Sequence, residues 1–225
     1  MTSTLEFQEL TGAPDLPSAI GRDVIDQRAE DERTRAKIVR TALRIAEEAG
    51  SWDAVRVHAV AQEAGLTLAE IRRHFSDRDA IAEGFFDMAD AALLAAAERY
   101  GWSELPVRSR IYGAIMAWLG ALGPHRRIVR GMLAYKLQPE HIHLQARGVM
   151  RISSTVQCMR EVAMLPSTGW RRELEEAGLT SMYLLTFSCW LTDSTPNAQR
   201  TRRLLQRLLE AADRPALWLG LDRRA

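Results

Sequence analysis

The feature that most constrains the fold of this chain is a helical repeat of apolar residues, which runs from Arg33 nearly to the end of the sequence. An α-helix has 3.6 residues per turn, so apolar residues spaced three or four apart share one face. In the first predicted helix these are Ile38, Ala42, Ile45, Ala46 and Ala49. No segment shows the sustained apolar–polar alternation of a half-buried strand. The sequence therefore predicts an all-α fold.

Glycines, prolines and capping residues divide this repeat into separate helices. Gly50 follows the first helix, and Ser194-Thr195-Pro196 is a typical start for the last. Further helices are predicted over residues 58–64, 68–75, 78–100, 107–122, 125–137, 142–164 and 171–191. We interpret residues 1–32, with eight acids and two arginines, as an acidic flexible N-terminal tail. Residues 33–80 then form a domain of short helices, and residues 81–225 form a larger helical domain.

Cysteine content and hydrophobicity bear on where the chain works. Its two cysteines cannot build a disulfide framework, so a reducing cytoplasm is the simplest location. The first residues lack the basic start and apolar core of a secretion signal. The longest apolar-rich stretch, residues 179–191, has thirteen residues, whereas a membrane span needs about 20. We expect a cytoplasmic protein without stable membrane insertion.

The sequence Ala64-Gly65-Leu66-Thr67 joins two short predicted helices. Gly65 suits the positive φ of a sharp turn, Leu66 can fill the space between the helices, and Thr67 can cap the second one. This arrangement is typical of a helix-turn-helix, in which the second helix presents its outer face to the major groove of DNA.

The segment from Arg35 to Phe86 resembles the TetR family of bacterial one-component regulators. The resemblance rests on Val60-Ala61, the Ala64–Thr67 turn, Phe75 and the run Asp77-Arg78-Asp79-Ala80-Ile81. It implies an N-terminal three-helix helix-turn-helix DNA-binding domain over residues 33–80. A larger helical ligand-binding and dimerisation domain would follow over residues 81–225. The implied protein is a ligand-responsive transcriptional regulator, a repressor, that binds palindromic double-stranded operator DNA as a homodimer and responds to a small apolar effector.

The same resemblance assigns residues that contact DNA. The implied phosphate contacts are Thr67, His74 and Arg78. The implied base-facing positions, on the second helix of the motif, are Leu68, Ala69, Glu70, Arg72 and Arg73. Further contacts come from the first two helices of the domain, at Arg35 and Arg56. Arg72 and Arg73 suit guanine, because arginine can donate two hydrogen bonds to that base. Leu68 and Glu70 depart from the family pattern, and residues 66–78 carry three Arg against one Glu and one Asp, a net charge of +1.

These departures leave an alternative open, a lipid- or isoprenoid-binding accessory protein of TetR fold that no longer binds DNA. Residues 171–213 resemble the C-terminal part of the lipid-binding accessory proteins of ubiquinone biosynthesis. The matching positions are Trp190, Asp193, Ser194, Thr201 and Leu205. The face that carries Leu68 and Glu70 distinguishes the two hypotheses.

The larger domain contains methionine and aromatic residues that suit an apolar effector pocket. The candidates are Met116, Trp118, Met132, Tyr135, Met150, Trp170 and Tyr183, each of which could instead belong to the core. Candidate polar anchors are Arg110, Tyr112, His125 and His143. Residues 171–191 and 196–212 are expected to form the dimer interface or the adjacent core, through Leu184, Leu185, Phe187, Trp190, Leu204, Leu205 and Leu208.

Motifs of enzymes and metal sites are missing from the sequence. We find no Gly-rich phosphate loop, no nucleophile elbow and no metal-ligand spacing. His141 and His143 lie two positions apart, so they would point in different directions on a helix. We therefore expect no enzyme activity, no cofactor and no metal.

Overall fold

The computed structural model describes residues 18–136 and 142–218, and every regular element in these ranges is helical. The helices are α1 Ser18–Ala49, α2 Val57–Ala64, α3 Leu68–His74, α4 Arg78–Ala97, α5 Val107–Leu122, α6 Arg126–Lys136, α7 Ile142–Val162, α8 Trp170–Thr192 and α9 Gln199–Trp218. Short 3₁₀ turns occupy Trp52–Ala54, Trp102–Glu104, Gly123–His125 and Pro196–Ala198. The all-α prediction is confirmed. The ends of the predicted helices agree to within about three residues, except at the start of α1 and at the end of α9, which extends to Trp218 beyond the predicted residue 212.

The first helix is longer than the sequence analysis predicted. It begins at Ser18, so residues 18–32, which the sequence analysis assigned to the N-terminal tail, are helical. Residues 1–17 lie outside the described part of the chain. The side chains of residues 24–28 are exposed, which means that little packing supports this end. A helix continues readily from its buried portion once nucleated, and the segment contains no proline after Pro17 to stop it.

Helices α1, α2 and α3 form the small N-terminal domain around one apolar core. Its fully buried centre consists of Ile38, Ala42, Val60 and Ile71. Trp52, in the 3₁₀ turn after α1, is also buried and belongs to the same apolar cluster. These residues pack against one face of α3, and the opposite face of α3 is exposed.

Helix α4 connects this domain to the larger one and approaches it closely at Gly84. A Cβ atom at this position would lie 2.6 Å from Cε1 of Phe75 and 3.1 Å from Cγ2 of Val39. Phe75 follows α3 directly and Val39 belongs to α1, so the absence of a side chain at Gly84 lets α4 pack tightly against both.

Aromatic rings fill the core of the larger domain. Trp118 stacks on Phe86 with ring centroids 6.1 Å apart and meets Tyr183 and Phe187 edge-on, each at 5.2 Å. Offset and edge-to-face pairs of this kind stabilise a core beyond their buried area. The cluster ties α4 and α5 to α8.

Asp193 joins α8 to α9 through a buried cap. Its two carboxylate oxygens accept hydrogen bonds from the backbone nitrogen and the hydroxyl of both Thr195 and Thr201, over distances of 2.6–2.9 Å. Arg126 donates to the carbonyl oxygen of Asp193 and lies 4.6 Å above the ring of Trp190. Burial alone would raise the pKa of Asp193, but the four hydrogen bonds to its charged form hold that pKa well below its ordinary value.

Among the described residues, no helix is both long enough and apolar enough to span a bilayer.

Candidate nucleic-acid interface

The turn between α2 and α3 adopts the conformation that its sequence requires. Gly65 has φ of +64° and ψ of +36°, a left-handed conformation that costs glycine little. Its neighbour Leu66 donates from its backbone to the carbonyl of Ala61 at 2.9 Å and packs its partly buried side chain on the core. The turn therefore fixes α3 across α2, as a helix-turn-helix requires.

Thr67 and Glu70 cap the start of α3 reciprocally. The Thr67 hydroxyl accepts from the Glu70 backbone nitrogen at 3.1 Å, and the Glu70 carboxylate accepts from the backbone nitrogen and the hydroxyl of Thr67, both at 2.7 Å. This is a capping box. The bonds from Thr67, with a smaller contribution from Arg73, lower the pKa of Glu70. The negative charge on this face thus has a structural role in the free protein.

The outer face of α3 is exposed while its inner face is fully buried. Ile71 is buried in the core, whereas half of the surface of Leu68 is exposed. Arg72 and Arg73 are exposed as well. Arg73 lies 3.7 Å from Glu70, and Arg72 makes no hydrogen bond or ion pair with any residue in the described ranges. The structure therefore brings the predicted base-facing positions together on one free surface.

Arg56 and Arg78 converge on the 3₁₀ turn after α1. Arg78 donates to the backbone carbonyl of Asp53 at 3.2 Å and lies 3.4 Å from its carboxylate. Arg56 donates to the same carbonyl. Two positive charges are thus anchored beside the start of α2 and the start of α4, flanking α3. Of the two, the resemblance implied a phosphate contact for Arg78 and a further DNA contact for Arg56, and both remain predictions.

Arg35 differs from the other predicted DNA contacts, because it is held between the end of α3 at His74 and helix α4. Arg35 donates to the backbone carbonyl of His74 at 2.9 Å and stands 4.5 Å above the ring of Phe75. Its second guanidinium nitrogen is 3.6 Å from the carboxylate of Asp87 on α4. Both residues line an open groove of about 410 Å³ together with Met150 and other residues of α4 and α7. Arg35 consequently faces α4 rather than joining the free surface of α3.

The residues predicted to line an effector pocket do not share one cavity. Trp118, Met132 and Tyr183 are buried core residues, and Met116 is partly buried against the same core. Met150 and Trp170 are exposed over 65% and 63% of their surface, so neither lines an enclosed space in the single chain. The side chains of Tyr135 and His143 lie outside the described part.

Two of the candidate polar anchors hold structure together. Arg110, 9% exposed, donates to the carbonyl of Ser103 at 3.3 Å. His125 lies 3.0 Å from the carboxylate of Glu47 and borders a second open groove, of about 440 Å³, beside α1. Within the described ranges, no cluster of His, Cys, Asp and Glu could hold a metal ion.

Sequence reasoning missed a polar cluster between α4 and α7. Arg151 pairs with both Asp87 and Asp90, and Asp90 also accepts hydrogen bonds from Trp118 at 2.8 Å and Thr155 at 3.0 Å. Burial raises the pKa of Asp90, although Arg151 and these hydrogen bonds oppose the shift. The sequence did contain a signal for this cluster, namely two acids three residues apart in the otherwise apolar helix α4. An acid that becomes buried there, as Asp90 does, needs a partner.

Comparison with known proteins settles the family. A crystal structure of the TetR transcriptional regulator from Nitrosomonas europaea ATCC 19718 has 40% sequence identity and a TM-score of 0.70, and the match covers 80% of this chain and 97% of that one. The chain belongs to the TetR family. As a TetR-family member it is a transcriptional regulator, which agrees with the resemblance seen in its first 86 residues.

A second TetR-like structure is more distant. A TetR-like transcriptional regulator from Rhodococcus sp. RHA1 has 15% identity and a TM-score of 0.43, over 85% of this chain and 97% of that one. No protein-family model and no curated protein sequence matches the chain.

Proposed function

We propose that this TetR-family regulator is a repressor that binds palindromic operator DNA as a homodimer and is released by a small apolar effector in the cytoplasm. The observation that carries the proposal is the free outer face of α3. A buried Ile71 holds the helix in place, and the capping box fixes its first turn. The exposed residues are then presented on a rigid support, which direct reading of base edges requires.

Arg72 and Arg73 are the residues proposed to read bases. Arg72 has no partner among the described residues, so no existing contact must break before it donates to guanine. Arg73 has a weak exposed ion pair with Glu70 at 3.7 Å, which is easily exchanged. Each bidentate contact to guanine discriminates against another base by about 1–3 kcal/mol. Leu68, exposed on the same face, can contact a thymine methyl group.

The phosphate contacts are assigned to groups on either side of α3. Arg56 and Arg78 are held by Asp53, and Thr67 and His74 mark the two ends of the helix. Contacts of this kind set the register of a protein on DNA and make its affinity fall with salt.

Two helices are proposed to form the dimer interface. On α8, Leu185 and Leu174 are exposed over 55% and 62% of their surface in the single chain, although they are large and apolar. Leu184 on α8 and Leu208 on α9 are only partly buried. Covering this surface with a second copy would place two recognition helices on one DNA molecule, about 34 Å apart for adjacent half-sites.

The effector is proposed to enter the aromatic core of the larger domain. Met116 and Met132 lie in or against this core, and methionine adapts its shape to a ligand better than branched side chains do. Because Trp118 and Tyr183 already pack edge-to-face there, an effector would have to separate them. A ligand that binds only the separated state shifts the population towards it.

The test is selection of bound sequences from a random pool of duplex DNA by the purified full-length protein, at low and at physiological salt. We expect enrichment of a palindrome and an affinity that falls steeply with salt. Arg72→Ala is expected to reduce affinity for the selected site by about 5- to 150-fold while affinity for random duplex changes little. Arg99→Ala, at an exposed arginine just after the end of α4 and outside both proposed interfaces, serves as the matched control.

Absence of enrichment and of salt-dependent binding would refute the repressor proposal and favour the lipid-binding alternative. The structure offers that alternative no specific support. The residues that carry its resemblance form the buried cap of α9 and the neighbouring core, through Trp190, Asp193, Thr201 and Leu205.

A further inference from the structure

A continuous series of polar contacts leads from the recognition helix into the larger domain. It begins at the last residue of α3, where the carbonyl of His74 accepts a hydrogen bond from Arg35 at 2.9 Å. Arg35 also packs over the ring of Phe75 and lies 3.6 Å from Asp87. A residue of α1 thus holds the end of α3 and is itself attached to α4.

The series continues through α7. Arg151 forms ion pairs with the carboxylates of both Asp87 and Asp90. Asp90 in turn accepts hydrogen bonds from Trp118 on α5 and Thr155 on α7. Trp118 stands at the centre of the aromatic core. A single run of contacts therefore connects the packing of that core with the end of the recognition helix.

The two halves of this run differ in strength. Arg35 and Asp87 are exposed over 41% and 52% of their side chains, and exposed ion pairs at such distances contribute little. Arg151 and Asp90 are exposed over only 18% and 13%, where charge-assisted hydrogen bonds are stronger. The outer contact can therefore break and re-form while the inner contacts persist, with Asp87 as the residue that both arginines share.

We propose that Arg35, Asp87 and Arg151 form an ion-pair relay that positions the recognition helix according to the packing of the larger domain. Any movement of α7 relative to α4 shifts Arg151, changes how much of the Asp87 carboxylate is available to Arg35, and alters the hold of Arg35 on His74. All three are positioning residues, since none of them needs to touch DNA or effector. The relay rests on the proposed function only in that α3 is taken to read DNA.

Hydrogen exchange in the full-length protein tests the relay without DNA or effector. Asp87→Asn removes the shared charge while keeping the size of the side chain. Arg151→Lys keeps the charge but loses the planar fork that reaches two carboxylates. We expect each variant to raise the exchange rate of amides 70–75 about threefold, the factor that corresponds to losing one exposed ion pair. The double variant should show no further increase, because both changes interrupt the same run of contacts.

The control is Glu98→Gln, which removes an exposed acid just beyond the end of the same helix α4. Exchange in α3 that is unchanged in Asp87→Asn, or equal to that of the control, would overturn the relay. An increase spread evenly over α5, α8 and α9 would also overturn it, because it would indicate general destabilisation. If Arg151→Lys fails to fold, the half-exposed Asp87→Asn decides alone. The selection of bound DNA sequences can succeed or fail whatever hydrogen exchange shows. Failure of the repressor proposal is therefore distinguishable from failure of the relay.

Discussion

The carboxylate of Glu70 lies 2.7 Å from both the backbone nitrogen and the hydroxyl of Thr67. One acid therefore receives two hydrogen bonds from the residue that caps the recognition helix, at a position where it would approach the phosphates of bound DNA. In the free protein the Thr67 hydroxyl is directed to Glu70, so a phosphate would compete with this carboxylate for the same donor. If α3 binds DNA as proposed, Glu70 weakens the attraction to DNA while it fixes the first turn of α3.

Replacing Glu70 by glutamine should separate these two effects. Glutamine also serves at this position of a capping box, so we expect the melting temperature to stay within a few degrees of wild type. Removing the charge should raise affinity for random duplex DNA about threefold at low salt and less at high salt. Fluorescence anisotropy with labelled duplex measures this. The control is Glu48→Gln, which removes the charge of an exposed acid on α1. If both variants bind random duplex DNA with the same affinity, Glu70 does not lie close to bound DNA.

Alanine at Gly84 should disturb the junction between the two domains. Its Cβ would lie within 3 Å of two atoms of the Phe75 ring, so α4 and the end of α3 must move apart. We expect a loss of about 1–3 kcal/mol in the free energy of unfolding, as for other overpacked cores. Gly120→Ala is the matched control on α5, where an added Cβ meets nothing within 4 Å. That change should stabilise by up to about 1 kcal/mol. Urea denaturation measures the free energy of unfolding of both variants. Equal changes in this free energy would show that the close contact at Gly84 does not limit stability.

Asp193→Asn should cost stability in a pH-dependent way. An asparagine cannot accept all four of the hydrogen bonds that the carboxylate receives, so we expect a loss of about 1–3 kcal/mol at neutral pH. The pKa of Asp193 is lowered in the folded protein. Its contribution is therefore complete above the unfolded-state pKa of about 4 and is lost as the pH falls below it. Because the folded-state pKa is well below the ordinary value, thermal melts from pH 7 to pH 3 should show the difference between wild type and variant narrowing towards pH 3 without disappearing. A difference in melting temperature that stays constant over this pH range would contradict the stabilising role of the charged Asp193 carboxylate.

Leu185→Glu should weaken the dimer. The proposed interface on α8 covers Leu185, and an unpaired carboxylate buried there costs more than about 1.4 kcal/mol, which corresponds to at least a tenfold rise in the dimer dissociation constant. Sedimentation velocity at several concentrations measures this constant. Leu94→Glu is the control, because Leu94 is similarly exposed at 42% but lies on α4. A dimer that survives Leu185→Glu but not Leu94→Glu would move the interface to α4.

Local signals explain why the recognition motif was predictable. Gly65, Thr67 and Asp77 act on their immediate neighbours, by a positive φ at the turn and by capping the helices that follow. The predicted ends of α2, α3 and α5 agree with the structure for the same reason. The exposed state of Arg72 and the burial of Ile71 also follow from helical periodicity alone.

Long-range contacts explain what was missed. Helical residues before position 33 gave no apolar repeat, so their continuity with the buried part of α1 was not visible. The sequence indicated Arg35 as a DNA contact from the first helix but not its partners His74 and Asp87. They are 39 and 52 positions away in the chain, and only the packing of α1 against α3 and α4 brings them near. Met150 and Trp170 have the composition of pocket residues, but exposure depends on which helices surround them.

The sequence by itself determined the all-α class and the helix-turn-helix, because these depend on spacing within a few turns of helix. Tertiary structure decided the roles of charged residues. Whether Arg35 joins the surface of α3 or faces Asp87, and whether Asp90 is buried beside Arg151, depend on partners that the fold brings together. A charged side chain has little effect on helix formation over most of a helix. Its electrostatic energy, in contrast, depends strongly on burial and on the nearest opposite charge.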